Sequence, residues 1–236
     1  AELEWVHAAS LVLDDIVDEA ELRRGAAPLH LLTSVPFAAG VALWLLTQSA
    51  LRCPGLAEPM LALAEGQRAE LAHAGDLSMS RADWYAIVAQ KTARLFAAAA
   101  MLGGRAGGAT PRQQTQLSRF GQELGLAFQL VDDVLDLVGD EPTLGKRPGQ
   151  DLRTGRITFP LLLLRDAEPT VFASTPLGLR LDSEAVAASL ARHDIPARCL
   201  AQARIHQGRA ISFLVGLPGD VAPLAALAEQ CVERRA

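Results

Sequence analysis

Cysteine, aromatic side chains and positive charge are all scarce in this chain of 236 residues, and each shortage excludes a class of protein. The three cysteines, Cys53, Cys199 and Cys231, form no C-x-x-C pair and no even set. That argues against a structural zinc site and against the disulfide framework of a small secreted domain, and it favours a reducing cytoplasm. Aromatic residues make up 5% and the formal net charge is −5. Neither the basic stripe nor the stacking platform of a nucleic-acid-binding protein is therefore present. Long apolar runs are missing too: Val35 to Leu46 and Ile157 to Leu164 fall well short of the roughly 20 residues a bilayer span needs. No charged-then-apolar leader is read at the start. What is there is a half-hydrophobic chain long enough to bury one sizeable core.

Apolar residues recur at spacings of three and four, and Ala and Leu dominate where Val, Ile and Thr would mark strands, so the chain reads as all-α. The pattern predicts helices over Leu3 to Leu22, Phe37 to Leu51, Leu56 to Ala74, Arg81 to Gly103, Pro111 to Val138, Thr158 to Asp166, Ser183 to Arg192, Ala197 to Val215 and Val221 to Arg234. Ser80 and Ser183 read as N-caps. No repeat, low-complexity tract or long linker divides residues 1–236, which predicts a single-domain helical bundle. The cysteines read as packing residues. His30, His73, His193 and His206 show no metal-ligand spacing.

Two acidic clusters carry chemistry. Asp14-Asp15-Ile16-Val17-Asp18 puts Asp14 and Asp18 on one helix face, with Cβ atoms about 5–6 Å apart. Carboxylates that close among apolar neighbours call for a cation, and hard oxygen donors without His or Cys favour Mg²⁺ over zinc. The competing reading is a solvated helix end. Asp132-Asp133-Val134-Leu135-Asp136 repeats the spacing more than a hundred residues later, again in an apolar helical run. Two such helices facing each other could hold several Mg²⁺ ions whose remaining coordination goes to water and phosphate, which makes a diphosphate site. Cations suited to an anion follow each cluster: Arg23-Arg24-Gly25 at an expected helix end, and the glycine-punctuated loop from Gly145-Lys146 to Arg156. That loop lacks the Gly-Lys-Ser/Thr ending of a nucleotide-binding phosphate loop.

With Lys91-Thr92 within a helix and Gln129 ahead of the second cluster, these motifs in this order resemble the trans-type isoprenyl diphosphate synthases, the polyprenyl synthetase family, from about Glu4 through Pro160. The resemblance implies an antiparallel helical bundle around a central cavity, of the isoprenoid synthase type, and a homodimer. It also implies condensation of an allylic diphosphate with isopentenyl diphosphate to a linear polyprenyl diphosphate. In that mapping Asp14, Asp18 and Asp132 bind Mg²⁺, three ions per site, with Asp15, Asp133 and Asp136 behind them. Arg23, Lys91, Lys146 and Arg156 surround the allylic diphosphate and Arg24 holds that of isopentenyl diphosphate. Thr92 and Gln129 flank the nascent cation. Ser10 and Ala9, four and five residues before Asp14, are small where short-product members carry bulky aromatics, which implies products of C20 or longer. Trp5, four residues before Ala9, would stop growth near C20 if it faced the tunnel and would permit longer products if it faced the core.

Departures from the family pattern are specific. No Gly-Gly-Lys-Arg type segment precedes the first cluster. Missing upstream helices explain that more economically than a shortened member with an incomplete pocket for isopentenyl diphosphate. Leu13 replaces a common His, Arg156 a Lys, and Val41 an Asp. His7 keeps the position of a family histidine. Two alternative functions stand beside the main one: a class I terpene cyclase, which has a different second metal motif, and a noncatalytic subunit of a heteromeric synthase, in which aspartates are often lost.

Overall fold

The computed structural model describes residues 1–138, 151, 154–172 and 183–234. Lys146, most of the cationic loop and the side chain of Ser183 lie outside them. The elements are α1 (Glu2–Val17), α2 (Leu29–Leu32), α3 (Val35–Arg52), α4 (Ala57–Ala72), α5 (Arg81–Val88), α6 (Arg94–Ala106), α7 (Pro111–Val138), α8 (Phe159–Ala167), α9 (Ser183–Arg192), α10 (Ile195–Leu214) and α11 (Ala222–Glu233). Short 3₁₀ turns cover Pro54–Leu56 and Pro169–Phe172. Among the described residues the only strand-like pairing is an isolated bridge between Arg23 and Ala26. The all-α expectation holds.

Local chemistry explains where the helices start. Ser34 caps α3 by accepting the Phe37 N–H at 3.3 Å. Ser80 and Asp83 form a reciprocal capping box at the start of α5, as read for Ser80 from the sequence. Most other helix ends fall within three residues of the sequence reading, the short α2 was not predicted, and two differences bear on the site. Helix α1 stops at Val17 rather than Leu22, because Glu19 (φ 48°), Arg24 (φ 53°) and Gly25 (φ 76°) take left-handed conformations. Arg23 and Ala26 then exchange backbone hydrogen bonds of 2.8 and 3.1 Å. Arg23 and Arg24 therefore stand on a tight turn and not at a helix end. The helix expected over Arg81 to Gly103 is broken by a π turn at Ala89–Ala93, which separates α5 from α6.

The 28-residue α7 is the central helix, packed against α6 on one side and α10 on another, while α1 packs on α3. Leu130 and Val131 of α7 join Leu161 to Leu164 of α8, and Ile195 and Cys199 of α10, in the largest core cluster. All four leucines of α8 are buried, so the apolar run from Ile157 is an enclosed helix. Each such side chain contributes about 1.5–3 kcal/mol on burial. Burial pushes the Cys199 thiol up to about 12, as suits a packing residue. Close approach of the π turn to α7 requires glycine: a Cβ at Gly125 would lie 2.5 Å from Ala93 Cα.

Gly125→Ala is expected to lower stability by about 1–3 kcal/mol through overpacking. Gly103→Ala, whose Cβ would meet nothing within 4 Å, is expected to raise it by about 0.5–1 kcal/mol. Urea unfolding midpoints of the two variants check this, and similar shifts for both would contradict it.

Candidate active site

Helical periodicity keeps Ser10, Asp14 and Asp18 on one face, and all three line a cavity of about 810 Å³. Asp15 turns the other way and is buried, its Oδ1 receiving Arg23 Nε at 2.7 Å and lying 2.5 Å from Nη2. The first cluster is thus split between a pair facing the cavity and one residue that fastens the Arg23 turn to α1.

Across the cavity, α7 contributes Phe128, Gln129, Asp132 and Asp133. Asp133 accepts hydrogen bonds from Trp84 Nε1 (3.1 Å), the Phe159 N–H (3.0 Å) and Gln129 Nε2 (2.9 Å). Burial, reinforced by the nearby Asp151, still pushes its carboxyl up to about 8 against two of those donors, Gln129 and Phe159. Thr92 Oγ1 donates to Gln129 Oε1 at 2.9 Å, so the chain from Thr92 through Gln129 to Asp133 fixes the amide at the cavity wall. Asp136 is buried and accepts the Asp151 N–H at 3.1 Å, joining the far end of the cationic loop to α7.

Cations stand between the walls. Lys91, on the π turn, lies 2.6 Å from Glu70 and 3.5 Å from Asp14. Arg156 is 2.7 Å from Asp18, 3.2 Å from Asp151 and 3.5 Å from Glu70. Burial opposes the charge on Arg156, yet Glu70, Asp151, Asp18 and Asp14 hold its pKa above the ordinary value. At an effective dielectric of about 20, unit charges 4 Å apart interact by about 4 kcal/mol. Such contacts therefore decide whether clustered carboxylates can stay ionised. Asp14 shows the balance falling short: burial raises its pKa although Lys91 and Arg156 pull it down.

Asp14, Asp18, Asp132, Lys91, Thr92, Gln129, Arg23, Arg24 and Arg156 all line the same cavity, together with Ser10 and Asp133. Asp15 and Asp136 sit behind it, and Lys146 lies outside the described residues. Ala9 and Trp5 are not on the cavity wall. At about 100° per residue, Ala9 is rotated some 140° from Asp14 and Trp5 some 180°. Ala9 is buried, and Trp5 stacks on Trp44 of α3 at 5.9 Å with Arg52 4.5 Å from its ring. His7 and Leu11 line the wall on α1 instead.

Sequence reasoning missed Glu70, Trp84 and His73, which also line the cavity. Glu70 shares α4 with Glu58 and Glu65, which are exposed, and nothing in its spacing sets it apart. His206 is buried, 2.7 Å from Glu123 and 3.3 Å from the Tyr85 hydroxyl, and does not reach the cavity.

Among the described residues, no three His, Cys, Asp or Glu side chains converge on one metal position. The donor set present is Asp14 and Asp18 on one wall and Asp132 on the other, all oxygen. Mg²⁺ is suited to that arrangement, being held by one or two carboxylates with water and phosphate completing its octahedron. The burial that raises the pKa of Asp14 is a cost such an ion would offset.

The profile of the polyprenyl synthetase family matches residues 1–173. Octaprenyl diphosphate synthase of Escherichia coli K12 is 35% identical over 169 residues, covering 68% of this chain and 52% of that protein. Heptaprenyl diphosphate synthase component 2 of Geobacillus stearothermophilus is 34% identical over 228 residues, covering 92% of this chain and 71% of its own length. Apart from the latter, the chain spans about half the length of the curated relatives it matches. A polyprenyl synthase from Caulobacter crescentus CB15, solved with calcium and isoprenyl diphosphate, superposes with a TM-score of 0.92 at 31% identity, over 100% of this chain and 77% of that one. With the aspartate pairs, the lysine-threonine turn and the arginine pair on one cavity and the family profile matched over most of its length, the chain belongs to the polyprenyl synthetase family.

Proposed function

We propose that the chain is the catalytic domain of a Mg²⁺-dependent prenyltransferase. It joins an allylic diphosphate to isopentenyl diphosphate and makes a linear polyprenyl diphosphate of C20 or longer. The observation that carries this reading is the meeting of Asp14 and Asp18 with Asp132, more than a hundred residues away in sequence, around one cavity that also holds Lys91, Arg24 and Arg156. Asp14, Asp18 and Asp132 would hold Mg²⁺, which when bound supplies Lewis-acid stabilisation of the charge developing on the leaving pyrophosphate. Lys91 and Arg156 bind the phosphate oxygens, and Arg24 holds the diphosphate of isopentenyl diphosphate. Thr92 and Gln129 orient oxygen dipoles toward the allylic cation left when the carbon–oxygen bond breaks. The double bond of isopentenyl diphosphate attacks that cation, and the departing pyrophosphate takes the proton released as the new double bond forms.

Ser10 and His7 set the near wall of the tunnel. With Trp5 turned onto Trp44, the longer-product outcome of the sequence reading is favoured. The relatives include geranylgeranyl and nonaprenyl diphosphate synthases and a short chain isoprenyl diphosphate synthase, which supports prenyl chain elongation without selecting a length. The cytoplasmic location belongs to the same proposal; among the described residues no helix is long and apolar enough to cross a membrane. For the partner we propose a second copy of the chain, seated on α3. Phe37, Leu43, Trp44 and Leu51 are exposed there, and Phe37, Val41 and Trp44 border a shallow groove.

Mass spectrometry of the products that the full-length protein forms from an allylic diphosphate, isopentenyl diphosphate and Mg²⁺ tests the reading. Linear diphosphates of C20 or longer are expected, whereas hydrocarbon formed without isopentenyl diphosphate would identify a cyclase. Asp14→Ala and Asp132→Ala are each expected to cost at least about 10²–10³ in turnover with an unchanged circular dichroism spectrum. Normal activity in either contradicts the metal assignment. Ser10→Phe is expected to shorten the products in the same assay, and an unchanged distribution would remove Ser10 from the tunnel wall. Trp44→Glu is expected to shift the protein from dimer to monomer in sedimentation velocity; an unaltered dimer would place the interface elsewhere.

A further inference from the structure

Glu70 is the cavity carboxylate that neither aspartate cluster explains. One oxygen, Oε2, lies 2.6 Å from Lys91 Nζ and 3.5 Å from Arg156 Nη2, so a single atom bridges two cations of the site. Its side chain is only 19% exposed and that of Lys91 15%. The backbone is built for this contact. One turn earlier on α4, a Cβ at Gly66 would fall 2.5 Å from the Lys91 nitrogen and 2.9 Å from its Cα. Only glycine lets α4 approach the π turn that closely, and the residue four positions on then reaches the Lys91 ammonium.

Charge decides what this contact does. Lys91 and Arg156 together face four carboxylates: Asp14, Asp18, Glu70 and Asp151. Around Lys91 and Arg156 themselves the carboxylates outnumber the cations by two, in a cavity that Arg23, Arg24 and Asp132 also line. Asp14 and Asp18 cease to repel a diphosphate once they share divalent cations with it. Glu70, on α4, sets its carboxylate against Lys91 and Arg156 and lies near enough to Asp14 to repel it.

We propose that Glu70 is a positioning residue, the resident counter-anion of the diphosphate site. It holds Lys91 and Arg156 in register while the site is free of diphosphate and makes anion capture depend on divalent cations. The proposal rests on the diphosphate reading above. Pyrophosphate left after catalysis is then held weakly once the metals depart.

Titration calorimetry with inorganic pyrophosphate, on the full-length protein in EDTA and in Mg²⁺, tests this. Wild type is expected to bind in Mg²⁺ and to bind at least a hundredfold more weakly, if at all, in EDTA. Glu70→Gln, which keeps the shape and removes the charge, is expected to bind pyrophosphate in EDTA at least about tenfold more tightly than wild type, the effect of removing one like charge from a half-screened cavity. Glu70→Asp is expected to retain the metal requirement. A Glu70→Gln protein that binds more weakly in both buffers, binds as wild type does, or fails to fold overturns the proposal. So does a Glu70→Asp protein that gains as much as Glu70→Gln. Wild type that ignores pyrophosphate even in Mg²⁺ overturns the diphosphate reading itself, a result distinct from any failure confined to Glu70.

Discussion

Asp14 on α1, Asp18 at its C-terminal cap and Asp132 on α7 share one cavity because cations separate their charges: Lys91 beside Asp14 and Arg156 beside Asp18. Without compensation, carboxylates in a half-buried space would protonate or push the helices apart. At Asp14 burial outweighs the pull of Lys91 and Arg156 and raises the pKa. On the proposed reading, divalent cations would complete that compensation and would in turn make the site receptive to a diphosphate. The order of dependence runs from carboxylate repulsion to metal affinity to substrate binding.

The scaffold's part is to hold those charges at fixed positions. A π turn at Ala89–Ala93 presents Lys91 and Thr92 to the cavity, and single-turn π segments recur at functional sites because they re-aim side chains within a helix. Glycines on both neighbours, Gly66 on α4 and Gly125 on α7, allow backbone-close packing around the turn. Asp133 ties the Trp84 side chain and the start of α8 to α7 by direct hydrogen bonds. The buried leucines of α8 then anchor that wall in the main core. The aspartates, Lys91, Thr92 and Gln129 are thus held by helical segments, and the turn at Arg23 and Arg24 and the segment at Arg156 are fastened to them by Asp15 and Asp18.

How legible this was in the sequence depends on range. The all-α class followed from spacing and from the shortage of strand formers, and Ser80 announced its capping box. The facing of the two aspartate clusters followed from their repetition and from family resemblance. Where conformation turns on individual φ values, as at Glu19 and Arg24, periodicity ran on to Leu22 past the true end of α1. The π turn was illegible because one extra residue per turn leaves the apolar pattern nearly intact. The sequence left the side that Trp5 faces open; over the nine residues to Asp14 the helix reverses its face, and the structure turns Trp5 onto Trp44. Glu70 was invisible for a different reason: its importance lies wholly in Lys91 and Arg156, 21 and 86 residues further along the chain.

Co-crystallisation with Mn²⁺ and inorganic pyrophosphate, with the ions located by anomalous scattering, tests the central claim most directly. Ions bound by Asp14 and Asp18 on one side and by Asp132 on the other, joined through one pyrophosphate, are the predicted result. Ions bound at only one of the two walls, or a pyrophosphate seated outside the space between them, would contradict it.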